Sequence, residues 1–287
     1  MSSQITTAFV EQYSNNVTML SQQKGSLLRD NVDSETVQGK NAFFEQIGSV
    51  AAVKRTSRHG DTPQLDTPHA RRRVSLVDYE YADLIDDQDK IRTLIDPTSS
   101  YAQAAAFAMG RAMDDEIIAA ATGTAFTGVS GGTSTSLPAG QAITESGTDG
   151  LTIAKLREAK RTFDLNSVDP SIKRYMVVSP RQIDDLLGTT SVTSADFNTV
   201  RALVTGEVNT FMGFEFIVSN RLSIASSKRL CFAYAADGIK LAVGKDVMSR
   251  IDERSDKGYS TQVYYCASFG ATRMEEEKVV SIQAHEA

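Results

Sequence analysis

His59, His69 and His285 are the only histidines of the chain, and each lies in polar or terminal sequence rather than beside an evident nucleophile, so a hydrolytic triad is not expected. Asp86, Asp87 and Asp89 offer oxygen ligands at close spacing, yet the segment lacks the glycine and the distal glutamate of a calcium loop. Cys231 and Cys266 have neither a CxxC partner nor a histidine neighbour. They outline no zinc site and require no oxidising compartment, so both are expected to be small buried or half-buried residues. The stretch 123–150 is rich in Gly, Ser and Thr but lacks GxxxxGK[ST], so no phosphate loop is indicated and the segment reads as a loop or loosely paired strands. Glu275, Glu276 and Glu277 read as a solvated turn, since sequence spacing alone does not identify paired carboxylates for glycoside chemistry. No catalytic, cofactor-binding or metal-ligating residue is assigned.

What does stand out is a separation of charge. Arg71, Arg72 and Arg73 open a segment that continues with Asp78, Glu80, Asp83, Asp86, Asp87, Asp89 and Asp96, with only Lys90 and Arg92 between. Strand alternation points Arg71 and Arg73 one way and Arg72 the other, so one face can meet acids while the other stays wet. A single exposed ion pair contributes only about 0–1 kcal/mol. Repeated over many identical contacts, such pairs still fix register and partner choice.

These residues need elements to hold them. At 287 residues and 41% hydrophobic content the chain can bury a core of ordinary size without staples. A net charge of −6 argues against a molecule that coats nucleic acid. The N-terminus, MSSQITTAFVEQYSNN, has no basic region and no unbroken apolar run, so no secretory signal is expected. No stretch approaches the ~20 apolar residues of a membrane span, and a soluble cytosolic product is expected.

Phe9, Tyr13, Val17 and Leu20 recur at helical spacing and predict an amphipathic arm, with a polar joint near Gly39 and an apolar anchor at Phe43, Phe44 and Ile47. Gly60, Asp61, Pro63 and Pro68 forbid a regular helix. Strand-like ends at 50–53 and 73–77 then suggest a long hairpin loop with a basic excess from Lys54, Arg55, Arg58 and Arg71 to Arg73. A helix opens at Asp96 and Pro97 and stops at Gly123 by the left-handed route; roughly 25 residues at ~1.5 Å each give a rod of about 37 Å. Its stripe is Ala106, Met109, Met113, Ile117 and Ala120, while Asp114, Asp115 and Glu116 fall where the helix dipole disfavours them and call for a partner such as Arg111 or a neighbouring chain.

Beyond it, a helix begins at Thr152 with Ile153, Leu156, Ala159 and Phe163 inward, followed by a strand at 174–178, a helix from Pro180 to Gly188, a helix near 196–204 and a strand with Phe214, Phe216 and Val218. Two strand-rich stretches separated by the polar SRIDERSDKG complete the chain. Helices and strands mix without a regular repeat, which is α+β.

Several motifs carry a resemblance: Pro68-His69-Ala70-Arg71-Arg72, Asp83-Leu84-Ile85-Asp86-Asp87-Gln88-Asp89, Asp96-Pro97-Thr98-Ser99, Gly110-Arg111-Ala112, Asp114-Asp115 and Gly270-Ala271-Thr272-Arg273. With the order of segments, they make the chain resemble the major capsid proteins of tailed bacteriophages, which have the Hong Kong 97-type (Johnson) fold. The resemblance implies an N-terminal arm (1–44), an extended loop and hinge (45–95), a spine helix with a peripheral loop (96–150), and an axial subdomain with return strands to the peripheral one (151–287). It implies self-assembly into hexamers and pentamers of an icosahedral shell around double-stranded DNA, with the extended loop of one copy over the next. Scaffolding, portal and decoration proteins would be further partners. The site would be the virion capsid, after assembly in the host cytoplasm. No cofactor, metal or membrane contact is implied, and no lysine and asparagine match the crosslinking pair of some members.

On this reading Arg71, Arg72 and Arg73 face Asp83, Asp86, Asp87 and Asp89, or Asp114 and Asp115 of the spine helix, in an adjacent copy. Arg72→Glu is then expected to impair assembly and spare folding, and loss of folding would mean an intramolecular role. The acidic net charge implies that DNA is retained by the closed wall with weak, nonspecific contacts. Two alternatives are an encapsulin-like compartment shell and an enzyme using the 123–150 loop.

Overall fold

The structure, a computed structural model, describes residues 22–62, 64–86, 98–144, 149–188 and 210–286. The arm helix expected from Phe9 to Leu20, the Asp96-Pro97 helix start, the helix near 196–204, and Asp87 and Asp89 all lie outside the described residues.

Strands β1 (Asp33–Thr36), β2 (Asn41–Ile47), β3 (His69–Ser75) and β4 (Val77–Ile85) precede helix α1 (Thr98–Thr122). Short strands β5 (Ala125–Thr127), β6 (Thr133–Thr135) and β7 (Ala142–Ile143) lead to helix α2 (Ile153–Leu165), strand β8 (Arg174–Val178) and helix α3 (Pro180–Gly188). Then come β9 (Thr210–Phe211), β10 (Phe214–Val218), β11 (Ile224–Ala225), β12 (Lys228–Ala235), β13 (Ile239–Arg254), β14 (Ser260–Arg273) and β15 (Val279–His285). This is the α+β architecture that the mixed pattern predicts.

Contacts divide the chain into two compact units, one built from Met1–Ser26, Asp78–Arg111 and Asp246–Ala267, the other from Leu27–Val77, Ala112–Lys245 and Ser268–Ala287. Each interleaves three segments, so the order of elements along the chain is not the order of compact bodies.

The second unit holds a sheet of order β7-β15-β12-β8-β10-β9, with β11 paired to β12. Every residue of β8 is buried: the run Tyr175 to Val178 lies in the core, and Arg174 at its start pairs with Asp164 at 2.9 Å. Tyr175, Phe232 and Tyr234 stack across β8 and β12 at 5.5 and 5.7 Å between ring centres. Helix α2 covers this sheet with Leu156, Ala159 and Phe163, and Phe163 meets Phe214 at 6.0 Å. The helix starts after Thr152, as predicted, and Thr152 caps it by accepting the Lys155 amide. At its other end Ser167 N–H donates to Asp164 O and Val168 N–H to Phe163 O, a Schellman pair. Ser167 supplies the left-handed residue at φ 57°, where glycine is usual.

The C-terminus is anchored in the same unit. The Glu286 carboxylate accepts from Arg229 Nε (3.0 Å), Ser179 Oγ (2.8 Å) and Gln182 Nε2 (3.2 Å). The Arg229 guanidinium above all holds the carboxyl at about 2, below its usual 4.5. A depressed carboxyl stabilises the fold fully above the unfolded value and loses that contribution as pH falls through about 4.5 toward 2. Glu286→Gln is therefore expected to flatten the stability profile between about pH 5 and 2, measured by denaturant titration at stepped pH. An unchanged acid limb would refute this.

A second sheet of order β2-β3-β5-β6 belongs to the same unit. Ala42, Phe44, Val74 and Ala242 form a core beneath it, with Val37, Leu76 and Met274 alongside. The hairpin expected around the proline-bearing loop exists, but its first strand is β2, not 50–53. In β2 only alternate residues need be apolar on the inner face, while 50–53 is a continuous apolar run left in an exposed loop.

In the first unit, β13 runs through SRIDER to Arg254 before a turn at Ser255–Lys257. The sequence predicts a polar break there. The strand persists because its side chains are nearly all exposed from Gly244 onward, so backbone pairing sustains it without an apolar face.

Helix α1 ends at Thr122, as predicted, but not by the left-handed route. The Gly123 N–H donates to Ala119 O at 2.9 Å, and a Cβ on Gly123 would lie 2.4 Å from that oxygen. The buried stripe is Ala105, Met109, Met113, Ile117 and Ala121, one position off the predicted ends at Ala106 and Ala120. Both cysteines are buried, and burial pushes the Cys231 thiol up to about 12, unsuited to nucleophilic chemistry.

Candidate interaction surface

Cross-strand register builds the outer face of the β2-β3-β5-β6 sheet. Phe43 lies opposite Arg73, and Arg73 opposite Phe126; Glu45 lies opposite Arg71. The Arg73 guanidinium sits 4.7 Å from the Phe126 ring centre, and that of Arg71 sits 5.4 Å from Phe43. Arg71 Nε donates to Glu45 Oε1 at 2.7 Å. The result is a row of stacked cations and rings in which Phe43 (40%) and Phe126 (38%) are exposed and Arg71 and Arg73 are half-buried, the Nε of Arg73 wholly so. Gly131, at φ 64°, crosses directly over Arg73: a Cβ there would meet the arginine's Cβ and Cδ at 2.6 Å.

Arg72 points to the opposite face, as alternation predicts, but it does not meet a neighbour. It is 6% exposed, and its Nε donates to Met274 O at 2.8 Å while Nη2 donates to Glu276 Oε1 at 2.7 Å. Arg72 therefore leaves the set of expected intersubunit residues, because the inner face of this sheet is the core. Glu276 is corrected with it. The turn exists, but this side chain is only 13% exposed, because two arginines converge on it.

The second of them is Arg273, which is fully buried. It donates to Ala121 O (3.1 Å), Gly123 O (2.8 Å) and Thr135 O (3.2 Å), and its Nη2 lies 3.6 Å from Glu276. The last carbonyls of α1 have no partner within the helix, and a cation there also meets the negative end of the dipole. Gly270, three residues earlier, lets β14 pass Ser75, whose oxygen a Cβ would approach to 2.4 Å. Gly270-Ala271-Thr272-Arg273 is thus a close crossing followed by a helix cap. Sequence reading assigned no role to Arg273 or Glu276; the available signal was an arginine closing an apolar strand with a glutamate three residues on.

The helix acids divide. Asp114 is fully buried, and its carboxylate accepts from the Leu27 amide (3.2 and 3.0 Å) and the Leu28 amide (3.1 Å). It too is corrected from an intersubunit to an intrachain role, since the helix face that carries it packs under the incoming chain. Asp115 remains half-exposed and receives Arg221 Nε at 2.6 Å, a partner remote in sequence. Arg111, expected beside these acids, instead donates to Gln22 Oε1 (3.0 Å) and Gln23 O (3.1 Å) in the first unit. There a Cβ on Gly110 would lie 2.4 Å from the Gly25 carbonyl carbon, so only glycine admits the crossing. Gly110 and Arg111 thereby hold residues 22–25, and Asp114 holds Leu27 and Leu28.

Asp83 and Asp86 belong to the first unit. Asp83 accepts the Leu84 amide at 2.9 Å, and Asp86 accepts the Ser260 hydroxyl. Within the second unit Asp114 takes these amides and Asp115 takes Arg221.

The loop 48–68 is exposed wherever it is described, and the Gly48 N–H closes its neck on Pro68 O at 2.9 Å. Val50 and Val53 are 58% and 57% exposed. Among the described residues no group of His, Cys, Asp and Glu is placed to hold a metal ion, and no helix is long and apolar enough to cross a membrane.

A family model for phage capsid proteins matches residues 5–286 of this chain. Among solved structures, the capsid of cyanophage P-SCSP1u superposes with a TM-score of 0.74 at 19% identity, covering 99% of this chain and 95% of that one. The capsid of Helicobacter pylori bacteriophage KHP30 gives 0.74 at 11% identity, over 97% and 96% of the two chains. The capsid of a native GTA particle gives 0.69 at 12% identity and spans 100% of both. No curated protein matches in sequence.

Proposed function

The chain belongs to the phage capsid protein family, and we propose from that premise how this structural subunit of a capsid meets its own copies. Copies assemble as hexamers and pentamers of an icosahedral shell around double-stranded DNA, built in the host cytoplasm and without catalysis. The observation that carries the contact is the outer row of Phe43, Arg71, Arg73 and Phe126, a cationic and aromatic face on a sheet whose other face is core. Acidic surface of an adjacent copy is its natural complement, with Asp83, Asp86, Asp87, Asp89 and Asp115 as the candidate residues. Scaffolding, portal and decoration proteins remain further partners of the shell.

Expression of the protein alone, imaged by electron microscopy, tests the assembly: shells, tubes or hexamer sheets are expected, and a stable monomer at high concentration contradicts it. Arg71→Glu is expected to raise the concentration needed for assembly about tenfold or more while leaving the melting temperature within a few degrees, since its pair with Glu45 is exposed and such pairs contribute little to folding and much to partner choice. Unimpaired assembly of that variant would remove the outer face from the interface. DNA is held by the closed wall: with a net charge of −6, unassembled protein should bind duplex DNA weakly at physiological salt.

A further inference from the structure

Helix α2 buries Leu156, Ala159 and Phe163 against its sheet and leaves its other face uncovered. On that face Arg157, Lys160 and Arg161 recur at i, i+3 and i+4, so they share one turn, and all three are exposed. Among the described residues Arg157 and Lys160 have no ion-pair partner, and Arg161 approaches only Glu158, at 4.0 Å. Asp164, one turn on, does not neutralise them. Arg174 of β8 holds it at 2.9 Å, with its own guanidinium 5.2 Å from the Phe163 ring centre. The facing wall is the two-residue turn Met212-Gly213 between β9 and β10. Both residues have positive φ, 54° and 87°, as a type I′ hairpin requires, and Phe211 pairs with Phe214 across it. The contact of Phe163 with Phe214 locks helix and turn together around a groove of about 490 Å³, lined by the three cations with Asp164, Leu165 and Met212.

The chain as a whole carries a net charge of −6, so this positive groove is a local feature and its complement is an anion. Arginine and lysine donors with the one lining carboxylate already committed suit phosphate oxygens, and they hold nothing that would read a base edge. From 157 to 161 the helix rises about 6 Å. Duplex DNA presents one charge per ~1.7 Å of its axis, so this turn faces three to four of them. An acidic protein surface would have to crowd as many carboxylates into the same length against their mutual repulsion, whereas the duplex carries that density everywhere.

We propose that this groove binds the phosphate backbone of duplex DNA through Arg157, Lys160 and Arg161, without reading sequence, and that the face carrying α2 is the one turned to the enclosed genome. This rests on the capsid reading above and gives the weak, nonspecific DNA contact a place on the subunit. Three phosphate contacts hold one copy loosely, and the same three repeated around a shell line its wall with positive charge.

Fluorescence anisotropy of a short labelled duplex, with the protein kept below its assembly concentration, tests it. The slope of log K against log salt should be about −2.7, from roughly −0.9 for each of three phosphates. Arg157→Gln with Lys160→Gln should bring the slope about 2 closer to zero and weaken binding about tenfold at low salt, with melting temperature and assembly concentration unchanged. Lys40→Gln with Arg250→Gln removes the same charge from exposed positions elsewhere and should leave the slope as it is. An equal loss in both variants would mean that net charge alone governs binding, which overturns the groove. Duplex binding that survives Arg157→Gln with Lys160→Gln overturns it too, and a tenfold rise in the assembly concentration of that variant would then make an acidic surface of another copy the occupant. Wild-type protein that forms no shell or sheet overturns the capsid reading, while the comparison of slopes still decides whether the groove binds DNA.

Discussion

Asp114→Ala is expected to destabilise the second unit by about 3–5 kcal/mol. Two amides, those of the part-buried Leu27 and the fully buried Leu28, lose a charged acceptor that is itself fully buried. A buried donor left unsatisfied costs about 1–3 kcal/mol, more when the lost partner is charged. The first amide also precedes the 3-10 turn at Arg29–Asn31, so the segment leading into that turn loses its fastening. Asp114→Asn retains one acceptor oxygen and should recover roughly half of the loss. Denaturant unfolding measures the energy, and limited proteolysis near residues 22–31 locates it. A change below about 1 kcal/mol would return Asp114 to an intersubunit role, since a residue idle in the single chain costs little to remove.

The second large effect concerns Glu276, the only carboxylate described against both Arg72 and Arg273. Burial draws the Arg273 pKa down, and the neighbouring Glu276 charge acts against that. Glu276→Ala leaves two guanidinium groups without their counter-charge, and breaking a buried pair in this way costs about 3–5 kcal/mol. Arg273 keeps its three carbonyl bonds to Ala121, Gly123 and Thr135, so the damage should centre on Arg72 and the hairpin. Arg72→Met combined with Glu276→Leu should cost less than Glu276→Ala alone, because it removes the charge along with its partner. A full double-mutant cycle measures the coupling; additive single effects would mean that the two side chains do not act as a pair. The same geometry makes Arg72→Glu a folding variant, which is the outcome the sequence reading reserved for an intramolecular role.

Much of the architecture was legible in the sequence. The extent of α1 to Thr122, the Thr152 cap, β8 and the alternating β10 follow from local pattern, because apolar periodicity and caps are properties of a few neighbouring residues. Strand alternation also placed Arg71 and Arg73 opposite Arg72. It could not say which face was core. That choice depends on Ala242 and Met274, which reach the inner face of the hairpin from far along the chain. The polar half of β13 was missed for a related reason, since a strand paired on its backbone needs no apolar signature.

Composition, charge and motif order thus determined by themselves that this is an α+β chain without evident catalytic chemistry, and they carried the resemblance to capsid proteins. Tertiary structure alone decided which charges are interior. Arg72, Asp114 and Glu276 read in sequence as surface residues and Arg273 only as part of a motif, yet their partners lie tens to hundreds of positions away, and a buried charge is tolerated only where those partners converge. Arg71 and Arg73 stay on the sheet's other face because aromatic rings on adjacent strands support them there.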